Sequence, residues 1–255
     1  MPSKKILVIV GPTASGKTRL AVELALRHGG EVVSADSMQV YRRMDIGTAK
    51  PTPEEMRGIP HHMLDVADPE EDFSVARYVE LAAPCVDDIL ARGKLPIVAG
   101  GTGLYLDSLL SGRTFAPFSP DGGLRARLEA RFDALGGEAM LGELAAADPE
   151  AASRLHPNDH KRIVRALEVF QQTGKTISQH NRETRALPLR YDALTLSLAF
   201  QRREDMWARI DRRVDEMMAA GLAEEVRALL DSGVPARCTA MQAIGYKEMA
   251  APQRG

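Results

Sequence analysis

Residues 11–18 carry the clearest chemical information in this chain. Their sequence, Gly-Pro-Thr-Ala-Ser-Gly-Lys-Thr, matches the pattern G-x-x-x-x-G-K-[ST] at every fixed position, and the residue frequencies of the chain predict only about 0.005 chance matches. In such a loop, backbone N–H groups converge on phosphate oxygens, and the following helix adds the positive end of its dipole. Lys17 would neutralise terminal phosphate charge, and Thr18 would offer its hydroxyl to Mg²⁺. The sequence therefore predicts that a di- or triphosphate is bound by Gly11, Pro12, Thr13, Ala14, Ser15, Gly16, Lys17 and Thr18.

The segments around this loop predict two strands and a further functional residue. Residues 5–10 form an apolar run suited to a buried parallel strand, and residues 17–28 have a helical pattern. Residues 32–35 predict a short strand that ends at Asp36. Because open α/β sheets bind ligands at the carboxyl ends of their strands, we expect Asp36 to act near the loop, as a base or as a ligand of Mg²⁺ through water. The alternative is a structural role in capping the next turn.

The rest of the chain predicts an α/β fold with a helical insertion. Ser74 is a suitable N-cap for a helix to about residue 92, and residues 95–99 form a buried strand followed by Gly-Gly-Thr-Gly. Alternating strands and helices indicate a parallel sheet flanked by helices. Later segments add the expected strand 193–200 and the expected helices 203–219 and 222–231.

These elements define two expected domains. Residues 1–112 and 188–255 would form a P-loop NTPase-like α/β core. Residues 113–187 show no strand-like alternation, are rich in Ala, Leu, Glu and Arg, and would form an inserted helical subdomain.

Composition excludes several classes of protein. The chain has 255 residues, 33 basic and 35 acidic side chains, 44% hydrophobic residues and two cysteines. These values are typical of a globular protein without a disulfide framework. No apolar run approaches the roughly 18 residues of a membrane span, and none has the length of a signal-peptide core. We therefore expect a cytoplasmic protein without membrane association, and a monomer.

Charge is distributed unevenly along the chain. Residues 154–190 hold eight basic and three acidic side chains. Such a local excess is suited to a surface that faces a polyanion. The alternative is an ordinary solvated helical face.

Seven segments occur together in the order that is typical of one family. They are DSMQVY at 36–41, MDIGTAKP at 44–51, PHH at 60–62, GGTGLY at 100–105, HPND at 156–159, RIVRALE at 162–168 and GYKE at 245–248. With these motifs the chain resembles the tRNA dimethylallyltransferases, also called tRNA isopentenyltransferases, from residue 1 to about residue 248.

The resemblance implies transfer of a dimethylallyl group from dimethylallyl diphosphate to the exocyclic amine of the adenine 3′ to the anticodon, at tRNA position 37. The phosphate loop would then hold the diphosphate of the donor rather than ATP, with Lys17 and Mg²⁺ on Thr18 stabilising the leaving group. Asp36 would hydrogen-bond the adenine amine and act as general base. Thr102 would lie at the reacting centre, whereas its alternative role is that of a tight-turn residue.

The resemblance also implies contacts with the anticodon region of tRNA. On a helix from about residue 158, apolar residues share one face and basic residues lie largely elsewhere, which suits phosphate contacts. The alternative is a solvated face with an Arg165–Glu168 pair. The expected tRNA-binding residues are Asp36, Ser37, Met38, Gln39, Thr102, Arg125, Lys161, Arg162, Ile163, Val164 and Arg165.

The chain departs from the family after Glu248. Only seven residues follow, and none matches the basic, Trp-containing segment with which the family normally continues. We expect donor binding to be retained without that segment and tRNA affinity to be lower.

Three other functions fit parts of the sequence. A small-molecule kinase shares the phosphate loop and would bind ATP, although no arginine-rich lid is recognisable. An adenylate isopentenyltransferase would use free AMP, ADP or ATP as acceptor, although the basic helical insertion favours a polynucleotide. The third alternative is a folded core that binds diphosphate but does not modify tRNA.

Overall fold

The computed structural model describes residues 4–112, 122–185 and 188–250. The chain divides into two compact units, of which the first comprises Met1–Leu110 and Leu189–Gly255 and the second comprises Ser111–Pro188. The domain boundaries expected from the sequence adjoin residues 113–121 and 186–187, which lie outside the described residues.

The first unit is built on a five-stranded parallel sheet. Its strands are β1 (Lys5–Val10), β2 (Gly30–Ser34), β3 (His61–His62), β4 (Leu95–Ala99) and β5 (Asp192–Ser197), arranged in the order β3-β2-β4-β1-β5. Ala99 of β4 is in register with Ile9 of β1 on one side and with Ser34 of β2 on the other. The carboxyl ends of the three central strands therefore meet at one edge.

The helices account for most of the remaining described residues. They are α1 (Lys17–His28), α2 (Pro53–Met56), α3 (Val75–Ala91) and α4 (Gly103–Leu110) in the first unit; α5 (Gly122–Ala147), α6 (Pro149–Ala152), α7 (His160–Thr173) and α8 (Ile177–Arg185) in the second; and α9 (Arg203–Ala219), α10 (Leu222–Asp231) and α11 (Tyr246–Ala250) in the first again. None of the described helices is long and apolar enough to cross a lipid bilayer.

The core of the first unit is built around β1 and β4, which are apolar at almost every position. Leu7 and Ile9 pack with Ala21 and Ala25 of α1. Successive side chains of a strand point to opposite faces of the sheet, and the alternate β1 residues, such as Val8, are buried as well. Continuous apolar runs of this kind are typical of parallel strands covered on both faces.

The second unit is helical and has a core of its own. Leu128, Met140 and Leu144 of α5 pack against Ile163 and Leu167 of α7. The helical segment α5 bends at Gly136, whose φ is 80°. At the neighbouring Gly137, a Cβ atom would lie 2.0 Å from the Pro157 carbonyl oxygen, so the glycine pair permits both the bend and the close packing.

The sequence-based prediction of the fold is confirmed. The bounds of β1, α1, β4, α9 and α10 agree with the sequence, and Ser74 caps α3 by accepting a hydrogen bond from the Arg77 N–H at 3.2 Å. The last strand, β5, ends at Ser197 instead of residue 200. The sequence analysis did not predict β3, which has two residues and no periodicity, or α4, which starts inside the Gly-Gly-Thr-Gly turn.

A buried carboxylate anchors β2 at the end that is remote from Asp36. The Glu31 side chain is only 3% exposed and accepts hydrogen bonds from Arg92 at 2.5 and 2.8 Å and from Lys94 at 2.7 Å. The Nε2 atom of His62 lies 2.8 Å from the same carboxylate. Hydrogen bonding from Arg92 holds the pKa of Glu31 far below its usual value, because it outweighs the opposing effect of burial.

We expect Glu31→Gln to lower the free energy of unfolding at pH 7 by about 2 kcal/mol, because an amide loses the charge-assisted hydrogen bonds. A carboxyl whose native pKa is lowered stabilises the fold above its unfolded pKa of about 4.3 and loses that contribution as the pH falls. The difference between wild type and variant should therefore shrink below about pH 4. Urea unfolding at several pH values measures this difference, with Glu80→Gln at an exposed position of α3 as the control. Equal stabilities at pH 7 would contradict this role.

Candidate active site

A cleft of about 730 Å³ opens at the carboxyl edge of the sheet, within the first unit. Most of its lining comes from five parts of the chain: the phosphate loop at residues 13–18, the turn after β2, a segment after that turn, Gly101 in the turn after β4, and one side of α9. The lining residues include Lys17, Thr18, Asp36, Gln39, Asp45, Ile46, Thr48, Ala49, Lys50, Gly101 and Arg213.

The phosphate loop joins β1 to α1 in the conformation that its sequence predicts. Gly16, at the N-cap of α1, has a φ of 89°, and Ala14 also lies in the left-handed region with a φ of 61°. The Nζ atom of Lys17 donates to the carbonyl oxygens of Gly11 at 2.9 Å and Pro12 at 2.8 Å. An ammonium group has three N–H donors, so one remains for a ligand.

Ser15 adds an unsatisfied group to this loop. Its Oγ atom is buried and has no hydrogen-bond partner among the described residues. A buried hydroxyl without a partner is unfavourable by about 1–3 kcal/mol. A phosphate oxygen at the loop would provide the missing acceptor.

Three charged side chains face one another across the cleft. Burial lowers the pKa of Lys17, the charge of Asp36 opposes this shift, and the charge of Arg213 adds to it. Burial likewise lowers the pKa of Arg213, which also interacts with Asp36. Two cations therefore lie near one carboxylate, and this arrangement is suited to an anionic ligand beside the carboxylate.

The two oxygens of Asp36 have different surroundings. Oδ1 accepts hydrogen bonds from the backbone N–H groups of Met38 at 2.9 Å and Gln39 at 3.4 Å. Oδ2 makes no hydrogen bond within the described part of the chain. Asp36 thus caps the turn, as the structural alternative proposed, and also presents a carboxylate oxygen to the cleft.

Thr102 holds the Asp36 turn from the side of β4. Its Oγ1 atom accepts a hydrogen bond from the Ser37 N–H at 3.0 Å and donates one to Ser37 Oγ at 3.3 Å. The approach is close because Gly100 lies against Ala35: a Cβ atom on Gly100 would lie 2.1 Å from the Ala35 carbonyl oxygen. Glycine is therefore required at Gly100. The Thr102 hydroxyl holds the turn that carries Asp36, and its location at the reacting centre stays a prediction.

Comparison with known proteins assigns this arrangement to a family. The family model described as IPP transferase matches residues 39–255, and the model described as isopentenyl transferase matches residues 4–71. The chain is 51% identical to tRNA dimethylallyltransferase 1 of Trichlorobacter lovleyi over 98% of this chain and 82% of the relative. It is 48% identical to the tRNA dimethylallyltransferase of Acetivibrio thermocellus, covering 98% and 80%.

The chain belongs to the tRNA dimethylallyltransferase family. A tRNA isopentenylpyrophosphate transferase from Bacillus halodurans, solved by crystallography, is 44% identical, with a TM-score of 0.66 over 96% of this chain and 76% of that chain. A eukaryotic dimethylallyltransferase, described as acting on tRNA, is 33% identical, with a TM-score of 0.82 over 96% and 62%. The P-loop NTPase-like fold agrees with these members of the tRNA dimethylallyltransferase family.

The basic residues predicted to bind tRNA lie in the second unit and differ in exposure. Lys161 and Arg162 are exposed on α7. Ile163 and Val164 are 0% and 1% exposed, and their side chains belong to the helical core, whereas their assignment as tRNA contacts stays a prediction. Arg165 forms an ion pair at 2.7 Å with Glu168, whose side chain is only 1% exposed, so it balances a buried charge.

Arg125 lies on α5 and forms an exposed ion pair at 3.2 Å with Glu129. Exposed pairs of this kind contribute little to stability, so Arg125 can exchange its partner for a phosphate at small cost.

The residues of the cleft suit a magnesium ion that takes most of its ligands from phosphate oxygens and water rather than from the protein. The Thr18 hydroxyl and the Asp36 carboxylate are hard oxygen donors that line the same cleft. Within the described ranges no group of three or more His, Cys, Asp or Glu side chains could hold a metal ion. Mg²⁺ typically takes one or two protein oxygens together with phosphate oxygens and water, which agrees with this donor set.

Two parts of the cleft were not predicted from the sequence. One is Arg213, which belongs to a helix with several arginines and has no distinguishing local pattern. The other is the segment 45–52, whose family motif had been recognised without a role. Neither could be located from the spacing of residues in the sequence, because only the folded chain brings them to the cleft.

We expect Arg213→Gln to weaken binding of magnesium diphosphate by about tenfold, because a charge-assisted contact contributes roughly 1.5–3 kcal/mol before screening. Isothermal titration with inorganic diphosphate measures this. Arg212→Gln is the matched control, since the neighbouring Arg212 side chain is 70% exposed and lies outside this cleft. Equal affinities for the two variants would exclude Arg213 from the anion site.

Proposed function

We propose that this chain transfers the dimethylallyl group of dimethylallyl diphosphate to the exocyclic amine, N6, of the adenine at tRNA position 37, with release of diphosphate. The observation that carries this proposal is the meeting of a phosphate loop and the Asp36 carboxylate in one cleft. The membership in the tRNA dimethylallyltransferase family supports it.

On the donor side, the proposal places the diphosphate against the N–H groups of the phosphate loop. The charge that grows on the leaving diphosphate is stabilised by Lys17 and by Arg213, both of which reach the cleft. Mg²⁺ on the Thr18 hydroxyl would supply further Lewis-acid stabilisation of the same oxygens. Because an allylic carbon ionises readily, stabilising the negative charge of the leaving diphosphate lowers the main activation barrier.

On the acceptor side, N6 forms a bond with C1 of the dimethylallyl group while the bond from C1 to the diphosphate oxygen breaks. The electron pair of that bond leaves with diphosphate. The proton released from N6 passes to Oδ2 of Asp36, the carboxylate oxygen that the turn does not use. Thr102 keeps Asp36 in place through Ser37.

A tRNA acceptor requires the adenine to leave its stack, as in other enzymes that modify bases. Lys161 and Arg162 are the exposed basic residues of α7 that we propose as phosphate contacts. We propose that the protein acts as a monomer. Because the proposed substrate is a tRNA, we propose that the reaction takes place in the cytoplasm.

The first experiment incubates the chain with unmodified tRNA, Mg²⁺ and labelled dimethylallyl diphosphate, and maps label on the adenine beside the anticodon. We expect label on wild type and a loss of about 10²-fold or more in turnover for Asp36→Asn, because the amide keeps an acceptor for the Met38 N–H but is no base. Donor binding by titration should stay within about threefold of wild type.

Three outcomes would contradict this scheme. Label on AMP but not on tRNA, when AMP is offered as the acceptor in a parallel reaction, would favour an adenylate isopentenyltransferase. Donor binding without transfer by wild type would indicate a core that does not modify tRNA. Near-normal turnover of Asp36→Asn would remove Asp36 as the base.

For the tRNA surface, we expect Lys161→Ala with Arg162→Ala to weaken tRNA binding and to reduce the slope of log affinity against log salt by about 2. Neither side chain forms an ion pair with any residue that the structure describes. The matched control is Arg154→Ala with Lys175→Ala, which removes two exposed cations of the same unit that are already paired with Glu150 and Glu183. An equal slope for both double variants would exclude the α7 surface.

A further inference from the structure

We propose that Glu225 of α10 is a positioning residue for the transfer reaction, acting through the loop at residues 45–51 that forms one wall of the cleft. The inference rests on the proposed function. It assigns a role to an acidic side chain that lies outside the cleft lining and outside every motif recognised in the sequence.

The Glu225 carboxylate binds three successive backbone N–H groups of this wall loop. Oε2 accepts from Asp45 and Ile46, both at 2.9 Å, and Oε1 accepts from Gly47 at 3.2 Å. Successive N–H groups that converge in this way form an anion-binding concavity. Here the anion is a side chain of the same protein, so α10 holds the wall loop by charge-assisted hydrogen bonds.

Tyr246 completes the attachment. Its hydroxyl donates to Oε1 of Glu225, and its ring is fully buried. A Cβ atom on Gly47 would lie 2.4 Å from that ring, so the ring packs directly against the backbone of the wall loop. Burial and the Glu225 charge raise the pKa of Tyr246, and the phenol therefore stays protonated as a donor.

The inner end of the wall loop is attached to the catalytic turn. Gln39 Nε2 donates to the carbonyl oxygens of Thr48 at 3.2 Å and Ala49 at 3.1 Å, and Gln39 lies three residues after Asp36. Across the described residues, the wall loop makes no hydrogen bond with the phosphate loop. Loss of the Glu225 attachment should therefore disturb the acceptor side of the cleft and leave the donor diphosphate in place.

Glu225→Gln tests this directly. Each carboxylate oxygen accepts two hydrogen bonds, so whichever oxygen the amide nitrogen replaces, two donors then face an N–H₂ group. The matched control is Glu224→Gln, which makes the same charge change in the first turn of α10 at an exposed residue. Tyr246→Phe is the second variant, because it removes one hydrogen bond while the ring stays packed.

We expect three results for Glu225→Gln relative to Glu224→Gln. Amide hydrogen exchange of residues 45–47 becomes faster, while inorganic diphosphate binds with an affinity within about threefold. The kcat/KM for tRNA falls by about 10- to 100-fold, as for a small misplacement of reacting groups. Tyr246→Phe shows the same pattern with a smaller change.

The outcomes separate this inference from the proposed function. An unchanged exchange rate, an unchanged kcat/KM for tRNA, or an equal loss of diphosphate binding would each overturn the positioning role. Absence of transfer by wild type would instead refute the proposed function, and the exchange measurement would still decide whether Glu225 orders the wall loop.

Discussion

The parallel alignment of β1, β4 and β2 is the constraint on which the site depends. Because Ala99 is in register with both Ile9 and Ser34, the three strands end at the same height. The phosphate loop, the Asp36 turn and the Thr102 turn leave the sheet side by side. Gly100 permits this proximity, since any side chain there would collide with the carbonyl of Ala35. Lys17, Asp36 and Thr102 thus derive their positions from the ladder of the sheet, whereas Arg213 comes from α9.

The two sides of the cleft are held by separate sets of contacts. The phosphate loop is held by the donation of Lys17 to the carbonyls of Gly11 and Pro12. The Asp36 turn is held by its own cap, by Thr102 and, through Gln39, by the wall loop. Such an arrangement allows the phosphate loop and the Asp36 turn to be altered independently by substitution.

The elements nearest the phosphate loop could be predicted because their information is local. An apolar run, a glycine pattern and a helical period define β1, the loop and α1 without reference to the rest of the chain. By contrast, the helical period places Ile163 on the apolar face of α7, and only the packing of α7 on α5 shows that Val164 is a core residue as well. Arg165 has a partner at three residues' distance, which the spacing did anticipate.

The phosphate loop, the α/β class, the position of Asp36 after a strand and the motifs of the family could all be predicted without a structure, because they depend on short patterns. The packing of distant segments brings Arg213 opposite Lys17 and Asp36 and brings Glu225 to the amides of residues 45–47. These pairs are separated by more than 170 residues in the chain. Contacts of that kind arise from the packing of α9 and α10, and no local pattern records them.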